Sequence, residues 1–209
     1  WWVQVMLSRL TEAMRKNEVL TILKLSAEIG HYIADAHVPL HASSNHNGQK
    51  TGQQGIHGFW ESRIPEMFGD DYDYFVGKAS YIDSPINIAW RTILQSNNAV
   101  DSVLGFEREL NKKFAEDKKY SFVEKGGKTV KEYSDAYTKA YNEMLNGQVE
   151  RRLREAIITV GNMWYSAWID AGQPDLNSLI EESQEAAKKQ TNKEEKDYNN
   201  GKWKGREEN

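Results

Sequence analysis

Apolar residues recur at spacings of three and four through most of this 209-residue chain, the pattern of helices that bury one face. Val3, Met6, Leu7, Leu10 and Met14 form one such stripe and predict a helix over 2–16. A second stripe, with Leu20, Leu23, Ile29 and Ile33 turned inward, predicts a helix over 19–36. Pro39 ends it, because the residue before a proline is pushed out of the α region. Residues 43–55 carry Gly48, Gly52 and Gly55 and almost no apolar side chain, which predicts an exposed loop. Helical spacing resumes over 56–67, and a second loop follows at 69–73. Long helical patterns then cover 82–115 and 129–171, separated by a turn at Lys-Gly-Gly-Lys 125–128. The last helix, over 147–170, stops at Ala171-Gly172 with Pro174 beyond. No segment sustains period-two alternation, so the predicted fold class is all-α. The expected organisation is a helical domain over 1–180 and a polar tail of mixed charge over 181–209.

Composition narrows the function classes. A formal charge of −4 offers no basic footprint for duplex nucleic acid. No apolar run approaches the roughly 20 residues of a membrane span, so no transmembrane segment is expected. With no cysteine, disulfides and thiolate metal sites are excluded.

The five histidines all fall between His31 and His57. His31 and Asp35 stand at i,i+4 on one predicted helix, and His57 and Glu61 repeat that arrangement on another. Side chains four apart share a helix face, with Cβ atoms about 5–6 Å apart, so each pair can chelate one ion. His41 lies just past the Pro39 break, where its imidazole can turn toward the second helix. Imidazole and carboxylate suit zinc, and His41, His57 and Glu61 with an open fourth position describe a catalytic rather than a structural site. A single His-x-x-x-Asp pair is more often a surface or packing feature, and polar packing of the histidines is the bland alternative. It does not account for both pairs and His41 together. His37 falls off the Asp35 face and is expected to pack behind the site, while His46 is expected in solvent.

His31-Tyr-Ile-Ala-Asp35-Ala-His-Val-Pro-Leu-His41, followed by His57-x-x-x-Glu61, resembles the signature of the superfamily uniting zinc-dependent phospholipase C with the single-strand-specific zinc nucleases. The resemblance covers residues 31–61. It implies a multi-helix bundle with up to three zinc ions in a cleft, hydrolysing phosphate esters outside the cytoplasm, secreted or periplasmic. Carried across, it makes His31, Asp35, His41, His57 and Glu61 metal ligands, with Asp35 bridging two ions. The family also draws on an N-terminal Trp, further histidines and an aspartate upstream, and no histidine precedes His31. Trp1 is not taken as that Trp, since no histidine follows it closely. The chain is therefore expected to be the C-terminal portion of a longer enzyme, partnered by a missing N-terminal segment. One zinc site is complete here, and the general base lies in that segment, so the catalytic base is unknown.

Within the superfamily, Glu61 in place of the nuclease aspartate, the short loop without a Gly-Gly-Asn element, the absence of cysteine and the negative charge favour phospholipase C. The expected partner is thus a phospholipid phosphodiester, with a nucleotide substrate (a single-strand nuclease or 3′-nucleotidase) as the alternative. A metal-binding module without catalysis is the second alternative. Trp164, Tyr165 and Trp168 read as packing. Of Phe59 and Trp60, one is expected to line the cleft and the other to anchor the core. Asp70, Asp71 and Asp73 lack the glycine and glutamate spacing of a calcium loop.

Overall fold

The computed structural model describes residues 1–179, together with 188, 191–193, 196 and 200. The expected charged tail over 181–209 lies outside the described residues apart from those last six. Helix α1 (Trp2–Arg15) buries Met6, Leu7, Leu10, Ala13 and Met14 against α2 (Val19–His37). A 3₁₀ turn at Pro39–Ala42 and the loop over 43–55 lead to α3 (Ile56–Gly58). A π turn (Phe59–Arg63) and α4 (Ile64–Phe68) continue the same axis. The long α5 (Pro85–Lys113) and the short α6 (Glu116–Lys119) follow, then β1 (Tyr120–Lys125), β2 (Lys128–Tyr133), α7 (Asp135–Leu145) and α8 (Gln148–Asp170). Among the described residues, no helix is long and apolar enough to cross a membrane.

Two details correct the sequence expectation. Residues 120–133 form an antiparallel hairpin pairing Tyr120 with Tyr133 and Val123 with Val130, where no strand was expected. Gly126 and Gly127 have φ of 59° and 74°, the two positive values that a tight hairpin turn demands. The alternation is faint because the ribbon is mostly exposed and Lys and Glu fill five of its twelve strand positions. The other correction concerns α2, whose core face is Val19, Leu25, Ile29 and Ile33, leaving Leu20 48% and Leu23 50% exposed. Both leucines instead line a groove of about 770 Å³ against α1.

The core has two parts. One joins α1, α2 and the C-terminal half of α8 through Met6, Leu10, Ile29, Ile33 and Met163. The other gathers Leu40, Ile56, Phe59, Trp60 and Ile64 against α5, β2 and α7. Phe59 is its hub, with ring centroids 3.8 Å from Tyr133 and 4.8 Å from Tyr141. Beside this stack lies Glu107, 1% exposed, accepting from Lys119 Nζ, Tyr137 Oη and Gln53 Nε2. Burial opposes its ionisation, but those three donors outweigh it and hold its carboxyl below the ordinary range. The extended segment between α4 and α5 is strapped along α8, with Ser80 N donating to Asn162 Oδ1 and Ile82 N to Ser166 Oγ.

Phe59→Ala removes the hub and should cost about 3–5 kcal/mol in urea unfolding. Phe122→Ala, at a side chain 72% exposed on the ribbon, should change stability by about 0.5 kcal/mol at most. Equal losses in the two variants would contradict the placement of the core.

Candidate metal centre

Packing of the second core part sets the direction of each candidate ligand side chain. Val38 and Leu40 are buried (8% and 0% exposed), which leaves the adjacent His41 at the rim. In the same way Ile56 and Trp60 are buried (0% and 2%), and each is followed directly by a candidate ligand, His57 or Glu61. The π turn that carries Glu61 is a rare geometry, frequent at functional sites.

Three donor atoms converge there. His41 Nε2 lies 2.8 Å from His57 Nε2 and 3.5 Å from Glu61 Oε2, and His57 Nε2 lies 2.7 Å from that same oxygen. These three residues are the group of possible metal ligands found among the described residues. Their side chains are 29%, 29% and 39% exposed, so one side of the group opens to solvent. Two imidazole nitrogens and a carboxylate oxygen this close crowd their lone pairs, which a shared proton or a bound cation relieves. A tetrahedral zinc at its usual bond length would hold its ligand atoms roughly 3.3 Å apart. The observed 2.7–3.5 Å brackets that spacing, so the donor set fits zinc after a slight opening.

Electrostatics point the same way. Hydrogen bonds from His41 and His57 hold the Glu61 carboxyl down to about 2. Its hydrogen bond with Glu61 raises the His41 pKa, burial opposes that, and the Glu61 and Asp35 charges add to the rise. Without a metal, then, a proton on His41 partly does the work of a cation.

The other two expected ligands stand beside this group rather than in it. Asp35 Oδ1 is 3.8 Å from His41 Nδ1, on the far side of that ring from Glu61. From there the carboxylate can favour the tautomer that leaves His41 Nε2 free to bind metal. His31, 56% exposed, has Nε2 3.5 Å from Asp35 Oδ2. His37 is 3% exposed, and its Nδ1 donates to Ile33 O at 2.7 Å, so it packs behind the site as expected. Burial lowers its pKa and keeps it neutral. His46 is exposed, with its ring centroid 6.3 Å from that of His57.

Both Phe59 and Trp60 are buried, so both anchor the core, and the groove that Phe59 borders is lined by none of His41, His57 and Glu61. Trp164 and Tyr165 are 40% and 37% exposed, so the packing expected of them is only partial. The loop over 43–55 is more ordered than its composition suggests. Asn45 Oδ1 accepts from Lys50 N, Asn47 Oδ1 accepts from Gly55 N, and Gln53 reaches Glu107. Gly48 is required there, because a Cβ would meet Gln53 O at 2.3 Å.

Sequence reasoning missed the residues that hold the Asp35–His41 segment. Pro39 has no N–H, and the carbonyls of Ala36 and His37 take hydrogen bonds from outside α2. Ser96 Oγ donates to Ala36 O at 2.6 Å and Arg152 Nε to His37 O at 2.9 Å. Asn97 Nδ2 donates to Ala42 O at 2.7 Å on the far side of the turn. The available signal was polar residues at buried helix positions: Ser96 shares its stripe with Ala89 and Val100, and Arg152 with Val149 and Ala156.

No protein-family model, curated protein or solved structure matches this chain.

Zinc should compete with the His41 proton. The charged His41 stabilises the metal-free protein fully below its ordinary 6.5, and this is lost as pH rises through the raised value. Zinc affinity should therefore climb with pH by roughly tenfold per unit until His41 is deprotonated, then level off. Zinc titration across the acid and neutral range checks this; affinity that does not change with pH would count against His41 as a ligand.

Proposed function

We propose that this chain is a zinc-dependent phosphodiesterase of phospholipase C type, acting outside the cytoplasm. The observation that supports it best is the convergence of His41 Nε2, His57 Nε2 and Glu61 Oε2, from two segments, on an open rim. The two imidazoles bind as neutral donors through Nε2, and Glu61 supplies the negative charge. Asp35 holds the His41 ring from behind, and with His31 it forms a further ligand pair next to the first site. When bound, zinc lowers the pKa of a coordinated water toward 7 and neutralises phosphate oxygens. A phosphodiester approaches from the exposed side, where the three side chains are not covered. Glu61, in place of an aspartate, favours a phospholipid as substrate.

One observation favours a single-strand nuclease as the second reading. Tyr32, 45% exposed, stands edge-on to His31 with ring centroids 5.8 Å apart. An exposed aromatic ring next to the ligands can stack a base.

Zinc content per chain, measured beside turnover of phosphatidylcholine and of a single-stranded oligonucleotide, tests both readings. In the intact enzyme, with the expected upstream segment present, tightly held zinc with release of a phosphorylated head group is the expected result, and His57→Ala should lose at least one zinc and nearly all turnover. Cleavage of the oligonucleotide alone selects the nuclease. Zinc without turnover of either substrate leaves a non-catalytic metal-binding module, and a chain that takes up no zinc refutes the proposal.

A further inference from the structure

Hydrogen bonds from one face of α8 reach both ligand-bearing segments. Gln148 and Arg152 stand one turn apart on that helix. Gln148 Oε1 accepts from Trp60 Nε1 at 3.2 Å, and Gln148 Nε2 donates to Ser102 Oγ at 2.8 Å. Trp60 is the residue directly before Glu61. One turn further on, Arg152 donates from Nε to His37 O, while its Nη2 donates to Ser96 Oγ, whose own hydrogen goes to Ala36 O. Those two carbonyls lie between Asp35 and His41.

We propose that Gln148 and Arg152 act as a brace that sets the spacing between the His41 segment and the His57–Glu61 segment, and so tunes the site for zinc. This rests on the zinc reading above. Neither side chain belongs to the metal-ligand group, so both are positioning residues.

Chemistry favours a positioning role over simple packing. Arg152 is 7% exposed, and its carboxylate partner is Glu155, whose side chain is 49% exposed. Burial lowers its pKa. An apolar side chain of similar volume could fill that space without desolvating a cation. What the guanidinium adds is direction, because its planar fork aims separate N–H groups at fixed acceptors. Direction matters at this site. His41 Nε2 and His57 Nε2 lie 2.8 Å apart and must open to roughly 3.3 Å around a tetrahedral zinc. Sliding one segment past the other by a few tenths of an ångström is therefore enough to spoil or improve the fit.

The test compares Gln148→Leu, Arg152→Met and Arg152→Lys with the parent chain. Zinc affinity is read by competition with a chromogenic chelator, at a temperature where circular dichroism shows each variant folded. The metal-free Tm is measured alongside. Gln148→Leu and Arg152→Met should each bind zinc about tenfold more weakly, the usual loss when a residue behind a metal ligand is removed. Arg152→Lys, which keeps one charged donor, should recover part of that. A merely structural role would lower Tm and leave the zinc affinity of the folded protein unchanged, which would overturn the brace. If Arg152→Met does not fold, Gln148→Leu and Arg152→Lys decide the matter. A parent chain that takes up no zinc removes the zinc reading first and the brace with it.

Discussion

Where α2 stops decides where the candidate metal ligands can meet. Pro39 cannot donate a hydrogen bond, and the carbonyls of Ala36 and His37 lose their helical partners within a protein interior, where an unpaired carbonyl is costly. α5 and α8 supply the missing donors through Ser96 and Arg152. Once those bonds are made, the chain has one exit path. Val38 and Leu40 drop into the core and His41 is left at the rim, facing the next ligand pair. The helix break is thus both the local fault that the long helices repair and the device that separates Asp35 from His41 in direction as well as in sequence.

The second ligand pair depends on the aromatic hub. Phe59 and Trp60 are buried between His57 and Glu61, so the π turn cannot rotate without pulling two large rings out of the core. Burying roughly 150–250 Å² for each aromatic fixes such a turn far more firmly than its own hydrogen bonds do. The candidate ligands therefore sit on elements anchored by bulky neighbours. The opposing wall comes from α5 and α7, tied together by the Tyr137–Glu107 hydrogen bond and the Tyr141 bond to Val103 O.

Much of this could be read from the pattern of residues. The stripes of α1, α5 and α8, the break at Pro39 and the pairing of His57 with Glu61 follow from spacing alone. Residues 120–133 did not, because the ribbon is exposed and its outward positions mix Lys and Glu with Phe122 and Val130, which hides the alternation. The core face of α2 was equally hidden. Leu20, Leu23, Leu25, Ile29 and Ile33 belong to a helix in which eleven of nineteen residues are apolar, and periodicity cannot say which part faces inward. At the site, spacing already set the His31–Asp35 pair apart from His41, His57 and Glu61. Geometry adds where that pair stands, with the Asp35 carboxylate on the Nδ1 side of His41 and His31 further out. The supporting polar residues, Ser96 and Arg152, looked like ordinary helix positions because their partners lie 60 and 115 residues away in sequence.

An anomalous difference map at the zinc absorption edge, from crystals of the 209-residue chain grown with zinc, tests the central claim most directly. The account predicts a peak about 2.0–2.2 Å from His41 Nε2, His57 Nε2 and a Glu61 carboxylate oxygen. A map with no peak there, or with zinc bound only at surface carboxylates elsewhere, would contradict it.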